Sequence, residues 1–255
     1  MKTYEDFHIE CIEKHGFYAP MPPDIDLFRD LEFSKEYFKN IQSLKNKVED
    51  MFTKQVDVER SPHGLSEEVV DTLALREVGD IYREMYQQNM EKVFFCHHTT
   101  NRVQIVRSFP TTAEKDSSWL WHYDDNAPSQ YKMFIYLTDV SDECAPFTYL
   151  ANMKNKPIKV RTSKVSPTQE GKKEYHRSRL PEAELDKLLS EGASEKRITG
   201  FSGECFVFDP NIVHKATKPS EEKYRIALIY HMHPVSRKQE MSNYINKSVK
   251  HFPYK

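Results

Sequence analysis

Glycine and cysteine are scarce in this sequence, and each shortage excludes classes of protein. Only 7 of the 255 residues are glycine, and none lies between Gly79 and Gly171. The chain therefore lacks the GxGxxG and GxxxxGK motifs that cradle phosphates, and it also lacks the GxSxG turn of α/β-hydrolases. The 4 cysteines form no CxxC pair, which excludes a zinc ribbon and a thioredoxin-type redox motif.

The sequence also lacks an excess of charge of either sign and any long apolar run. The 37 basic and 39 acidic side chains give a net charge of −2, so we expect neither a nucleic-acid nor a membrane partner. No apolar run approaches the roughly 18 residues of a membrane span, and the first residues lack the apolar region of a signal peptide. With widely spaced cysteines, these features predict a cytoplasmic protein. They leave the oligomeric state open.

The apolar pattern predicts a helical N-terminal part followed by a β-rich remainder in a single domain. Residues 1–92 are expected to be a helical support, with one helix at 35–52 behind the cap Ser34 and another at 67–88. From residue 93 onward, short runs of Phe, Tyr, Ile and Val alternate with turn residues. Such short strands predict an antiparallel sandwich or barrel.

A polar, lysine-rich stretch interrupts the β pattern. We expect residues 152–198 to form an insertion between strands that contains a helix at 181–190. The insertion is expected to be either a lid over a binding site or a solvated excursion. The predicted β core then comprises 93–151 and 199–235, and 236–255 form a C-terminal tail.

Two of the 11 histidines have neighbours in the sequence that suggest a metal-binding or catalytic role. His122 and Asp124 are two apart, so an extended chain points their imidazole and carboxylate to the same face. His214 begins a strand after a turn, and Arg225 enters an apolar strand eleven residues later. An arginine there is costly unless it meets an anion, either a ligand or a buried aspartate.

Two histidines and one carboxylate are the facial triad of a non-haem Fe(II) site. Such a triad leaves three positions, which a bidentate 2-oxo acid and O₂ can fill. The far carboxylate of that co-substrate then needs a cation, and the guanidinium of Arg225 suits it. The set His122, Asp124, His214 and Arg225 therefore predicts an iron site that uses 2-oxoglutarate.

These motifs, together with the strand at 132–140, resemble the Fe(II)/2-oxoglutarate dioxygenases of the phytanoyl-CoA dioxygenase-like superfamily over about residues 100–235. The resemblance implies a mainly β fold with flanking helices, the double-stranded β-helix or cupin-like jelly roll. It implies that His122, Asp124 and His214 are iron ligands, that Arg225 holds the distal carboxylate of 2-oxoglutarate, and that Arg107 is a second arginine near the co-substrate. The chain departs from the family after the 132–140 strand, where the family's glycines and Ser-His are absent.

The resemblance implies hydroxylation of a C–H bond with release of succinate and CO₂. Related halogenases carry Gly or Ala at the position of Asp124, so the carboxylate here favours hydroxylation or another oxidation. Three alternatives stay open: a protein or peptide hydroxylase of the same fold, a non-catalytic cupin-like metal-binding protein, and a hydrolase or isomerase that holds a different divalent metal in the site.

Strand alternation and proximity to the triad nominate further pocket residues. If Arg225 faces the interior, Ile229 and His231 do so too, while Lys132 and Tyr136 share one face and are expected near the co-substrate. Close to the triad in sequence, the expected substrate-binding residues are Asp125, Trp119 and Trp121. The polar members of this set predict a small polar metabolite, such as an amino acid or a derivative, as substrate.

Overall fold

The computed structural model describes residues 27–29, 31–61, 64–86, 97–112, 117–124, 126, 130–160 and 178–235. Its strands are β1 (Leu27–Phe28), β2 (Val58–Arg60), β3 (Ser66–Val69), β4 (His97–Ser108), β5 (Tyr131–Tyr136), β6 (Phe147–Ala151), β7 (Ser194–Ile198), β8 (Cys205–Phe208), β9 (His214–Lys215) and β10 (Arg225–Val235). Its α-helices are α1 (Lys35–Lys54), α2 (Arg76–Met85) and α3 (Glu182–Ser190). No helix in these ranges is long and apolar enough to cross a membrane.

The strands form two antiparallel sheets. The major sheet has seven strands in the order β1-β8-β5-β10-β4-β3-β2, and the minor sheet has three in the order β7-β6-β9. Isolated bridges from His122 to His214 and to Arg179 extend the minor sheet beyond β9. This architecture confirms the predicted mainly β fold with flanking helices.

Helices α1 and α2 cover the outer face of the major sheet. Ser34 caps α1 as predicted, because its hydroxyl accepts hydrogen bonds from the backbone N–H groups of Glu36 and Tyr37 at 3.0 and 3.1 Å. The buried stripe of α1 consists of Tyr37, Ile41, Leu44, Val48 and Phe52. It packs in one cluster with sheet residues such as Ile105, Met133 and Leu228. Each such aliphatic side chain contributes roughly 1.5–3 kcal/mol by leaving water.

A second cluster, rich in phenylalanine, joins the two sheets. Phe134, Phe206 and Phe208 of the major sheet pack with Phe147 of the minor sheet. The centroid of the Phe147 ring lies 4.6 Å from that of Phe208 and 5.2 Å from that of Phe206. The rings hold the sheets together next to the cavity described below.

The N-terminal part departs from the predicted helical support. Residues 66–69 form β3 where the sequence predicted a helix from 67, and α2 begins only at Arg76. β3 pairs with β4 on one side and with β2 on the other. These backbone pairings with distant strands override the local helical pattern. The segment therefore supplies strands to the sheet as well as helices.

The predicted insertion contains regular structure at its end. Within residues 152–198, α3 is followed by β7, which pairs along its whole length with β6 of the minor sheet. The prediction of a helix near 181–190 is confirmed by α3.

Candidate metal centre

The three predicted ligands lie together. One ligand atom from each of His122, Asp124 and His214 lies within 4.8 Å of the others. Asp124 Oδ1 is 3.8 Å from His122 Nε2 and 4.0 Å from His214 Nε2. Both imidazoles are buried, and their ring centroids are 4.3 Å apart.

Backbone pairing fixes the relative position of the ligands. The N–H of His122 donates to the carbonyl of His214 at 2.9 Å, and the N–H of His214 donates to the carbonyl of His122 at 2.8 Å. The N–H of Asp124 donates to the carbonyl of Pro210, in the turn after β8, at 2.9 Å. The site is therefore built where two distant segments cross, and both ends are tied by main-chain hydrogen bonds.

Each imidazole is oriented by its own backbone. Nδ1 of His122 lies 2.8 Å from the carbonyl oxygen of Leu120, and Nδ1 of His214 lies 2.8 Å from that of Ile212. A carbonyl oxygen only accepts, so Nδ1 carries the proton in both rings and Nε2 presents its lone pair to the site. This arrangement is typical of histidines that bind metals.

Burial keeps both rings neutral. It lowers the pKa of His122 to about 3, with a further contribution from the neighbouring His214, and it also lowers the pKa of His214. Neutral imidazole is the form that binds a metal ion. No proton therefore has to leave either ring at neutral pH.

Lys132 keeps Asp124 ionised. Burial alone would raise the pKa of Asp124, but the charge of Lys132, whose Nζ lies 2.5 Å from Oδ2, outweighs it and holds the pKa well below its usual range. Two neutral imidazoles and one carboxylate are the donors of a 2-His-1-carboxylate site for a divalent transition metal. The residues present thus fit the iron that the sequence predicted.

The ligands open onto a cavity of about 460 Å³ between the sheets. Of the predicted site residues, Lys132, Arg225, Ile229 and Trp119 line this cavity together with the three ligands.

Arg225 is a buried cation without a carboxylate partner. Its Nη2 donates to Ser108 Oγ at 3.1 Å and its Nη1 to the carbonyl of Ala145, and its guanidinium stands over the ring of Phe134. Burial lowers its pKa, and no acidic side chain in the described part of the chain forms an ion pair with it. Because an uncompensated buried charge is costly, the geometry is that of a site for an anion.

Arg107 does not reach the cavity, contrary to the prediction. It lies on the opposite face of β4, where its guanidinium stands over the rings of Phe52 and Tyr224 at 5.7 and 5.2 Å. Its Nη1 lies 3.7 Å from Glu67 Oε2. Ser108, the next residue, faces the cavity instead. The resemblance had implied a role for Arg107 near the co-substrate, but strand alternation points its side chain away from the cavity.

Tyr136 and Trp121 lie near the site without lining the cavity. The hydroxyl of Tyr136 donates to the carbonyl of Ile198 at 2.6 Å and accepts from the N–H of Phe147 at 3.0 Å, so it ties the sheets together. The centroid of the Trp121 ring lies 4.2 Å from Lys215 Nζ. Neither residue lines the cavity in the described ranges.

His231 lies next to the cavity, and Asp125 falls outside the described residues. Nε2 of His231 is 2.8 Å from Oε1 of Gln104, which does line the cavity.

Sequence reasoning missed several polar residues of the cavity wall, among them Glu68, Arg102, Gln104 and Arg179. Arg102 and Gln104 share the face of Ser108 on β4, so the strand alternation that nominated His231 would have found them if it had been applied to β4. Glu68 was missed because the sequence predicted a helix where β3 lies, and Arg179 was missed because it falls in the predicted insertion.

Comparison with known proteins supports the fold. No protein-family model and no curated protein matches the sequence. Among solved structures, EvdMO1 is similar with a TM-score of 0.53 and 12% identity over 89% of this chain and 49% of that chain, so this chain spans about half its length. EctD from S. alaskensis in its apoform gives a TM-score of 0.52 and 15% identity over 87% of this chain and 80% of that chain.

A second crystal structure of EctD from S. alaskensis, with 2-oxoglutarate and 5-hydroxyectoine, gives a TM-score of 0.51 and 14% identity over 87% of this chain and 79% of that chain. At such identities the likeness shows the fold, and it confirms the double-stranded β-helix expected from the sequence.

Proposed function

We propose that this chain is a non-haem Fe(II)/2-oxoglutarate-dependent oxygenase that hydroxylates a C–H bond of a small polar metabolite. One observation carries the proposal. A single cavity combines the three ligands His122, Asp124 and His214 with the buried, uncompensated cation Arg225. Supporting it, crystal structures of the similarly folded EctD hold Fe in one case and 2-oxoglutarate with 5-hydroxyectoine in another.

Different residues of the cavity would hold the iron and the 2-oxoglutarate. His122, Asp124 and His214 would hold the iron, and Arg225 would hold the distal carboxylate of 2-oxoglutarate through its guanidinium. Iron bound there would supply the activation of O₂, with one oxygen atom ending in succinate, the other in the hydroxylated substrate, and CO₂ released.

The surrounding side chains prepare this site. Lys132 fixes one oxygen of Asp124 and keeps the carboxylate ionised, so that the other oxygen faces the imidazoles. Phe134, Phe147 and Phe208 give the cavity an apolar wall, and the guanidinium of the buried Arg225 stands over the ring of Phe134. Such apolar surroundings strengthen the attraction between the co-substrate carboxylate and Arg225.

The size of the cavity supports a small-molecule substrate. About 460 Å³ falls within the roughly 300–1,000 Å³ of ligand pockets. This volume favours a metabolite over a protein substrate, for which an extended groove would be needed.

Aerobic incubation with Fe(II), 2-oxoglutarate and a panel of amino acids and their derivatives tests the function, with succinate as the readout. We expect substrate-dependent succinate from the wild-type chain and none from Asp124→Ala. The exposed Asp142 is a matched control, because its ion-pair partner among the described residues is Arg197 on the surface, and Asp142→Ala should retain activity. Iron and 2-oxoglutarate binding without any succinate would instead favour a non-catalytic binding protein.

A further inference from the structure

We propose that Glu68 is the substrate-recognition residue of this cavity and that it binds an ammonium group. The substrate class is then an amine-bearing metabolite, and an amino acid fits it best. The inference rests on the proposed function and adds to it the chemical group by which the substrate is selected.

A hydrogen-bonded row orients Glu68. Gln104 Nε2 donates to Glu68 Oε1 at 2.8 Å, and Gln104 Oε1 lies 2.8 Å from His231 Nε2. Because an amide oxygen only accepts, His231 donates from Nε2 and fixes the amide with its NH₂ group toward Glu68. The row spans three adjacent strands, β10, β4 and β3. It holds the carboxylate in one position without neutralising its charge.

Glu68 lacks a cation, whereas its neighbour Glu67 has one. In the described part of the chain, no basic side chain forms an ion pair with Glu68, although Glu68 lines the cavity and is partly buried. Glu67 points to the other face of the sheet, where Arg107 Nη1 lies 3.7 Å away. An oriented carboxylate at a cavity wall with no cation of its own is complementary to a ligand ammonium.

The position of Glu68 also constrains where oxidation occurs. β3 is three strands away from β5, which carries Lys132 beside the metal ligands. At the usual spacing between strands this is about 14 Å across the sheet. A substrate whose ammonium binds Glu68 therefore presents to the metal a carbon several bonds from its nitrogen.

A second charged residue on the same cavity wall is the reason for proposing an amino acid as the substrate. Arg102 lies two residues before Gln104 on the same face of β4, is exposed, and has no ion pair among the described residues. Its guanidinium suits a carboxylate. Glu68 and Arg102 together match a molecule that carries both an ammonium and a carboxylate.

The test compares Glu68→Gln with Glu67→Gln, two isosteric changes at adjacent positions on opposite faces. The probes are L-lysine, L-ornithine and L-arginine, the Nα-acetyl derivative of each, and the side-chain-acetylated forms of lysine and ornithine. We expect at least one free amine to support succinate formation and its acetylated form to lose at least about 10-fold in kcat/KM. Glu68→Gln should raise KM for that amine by about 10- to 100-fold, as loss of a charged hydrogen bond does, while Glu67→Gln leaves it within about 2-fold.

The visible charge-transfer absorbance of iron-bound 2-oxoglutarate, recorded without amine, separates the two proposals. We expect it in the wild type and in both variants. If the absorbance is present throughout but no probe supports succinate formation, or acetylation of neither amine lowers kcat/KM by about 10-fold, or Glu68→Gln behaves as Glu67→Gln, the role of Glu68 is wrong. If it is missing from all three proteins, the proposed function itself fails.

Discussion

The two faces of the major sheet come from the same strands but are built differently. The face under α1 and α2 is mainly apolar, and polar groups such as the hydroxyl of Tyr230, which donates to the carbonyl of Val78 at 2.7 Å, bind partners within the protein. The face toward the cavity carries charges such as Glu68 and Arg225 that have no ion-pair partner among the described residues. Alternation along each strand thus separates residues that stabilise the fold from residues available to a ligand.

Residue type alone does not show which task a side chain has. Arg107 and Glu67 form an ion pair on the helix-covered face, while Arg225 and Glu68 line the cavity. The difference lies in the face on which each side chain falls. Matched substitutions on the two faces are therefore the direct test of this division, and they are taken below from the largest expected effect to the smallest.

The largest effect is expected for a buried histidine of the cavity compared with one outside it. His214→Ala removes a metal ligand, so succinate formation should be lost and iron affinity should fall by more than the roughly 10- to 100-fold typical of groups that only support a ligand. His98 is also buried, but its ring packs against Tyr131. His98→Ala should lower the melting temperature and keep iron binding. Equal iron affinity in the two variants would remove His214 from the ligand set.

The next comparison concerns two isoleucines. Ile105 is fully buried on the helix-covered face, and Ile105→Ala should lower the free energy of unfolding by about 2–5 kcal/mol in urea titrations. Ile229 is only partly buried and lines the cavity, so Ile229→Ala should cost less stability and act mainly on KM for the substrate. A larger loss of stability from Ile229→Ala than from Ile105→Ala would contradict the idea that one face stabilises the fold and the other serves a ligand.

The two arginines should differ in the same way. Arg225→Met removes the cation that faces the co-substrate, so KM for 2-oxoglutarate should rise by about 10- to 150-fold. Because the buried charge has no counter-ion in the described structure, the same change should leave the melting temperature of the ligand-free protein unchanged or higher.

Arg107→Met provides the control for this prediction. It removes the partner of Glu67 and the contacts with Phe52 and Tyr224, so the melting temperature should fall. KM for 2-oxoglutarate should stay constant. A raised KM in this variant would show that Arg107 does contribute to 2-oxoglutarate binding.

The metal centre could be predicted from the sequence because its geometry is largely local. Residues two apart on an extended chain share a face, so His122 and Asp124 converge wherever the chain is extended, and His214 and Arg225 lie at the beginnings of two recognisable strands. The fold class followed from short strands separated by turn residues.

The other wall of the cavity depends on contacts between residues far apart in sequence. Glu68 reaches the cavity only because residues 66–69 pair with β4, a pairing that the local helical pattern does not show. Tyr136 was placed on the correct face, but its hydroxyl is used by the carbonyl of Ile198, 62 positions away. The resemblance implied a role for Arg107 at the co-substrate, but the alternation of β4 points its side chain to the opposite face.

The smallest effect is expected at a charged contact on the helix-covered side. Glu77 of α2 accepts hydrogen bonds from Ser43 Oγ at 2.7 Å and from Lys47 Nζ at 2.5 Å, both on α1. Burial would raise the pKa of Glu77, but the hydrogen bonds from Lys47 and Ser43 and the charge of Lys47 lower it below its usual value of 4.5. We expect Glu77→Gln to lower the free energy of unfolding at pH 7 by about 1 kcal/mol.

The pH dependence of this loss identifies its cause. A carboxyl whose pKa is lower in the folded state stabilises the protein fully above its unfolded pKa, and the contribution disappears as the pH falls through the folded pKa. The difference in unfolding free energy between wild type and Glu77→Gln, measured in urea, should therefore shrink below about pH 4.5. A difference that stays constant with pH would assign the loss to packing. Because Glu77 lies on the side away from the cavity, succinate formation at pH 7 should be the same in both proteins.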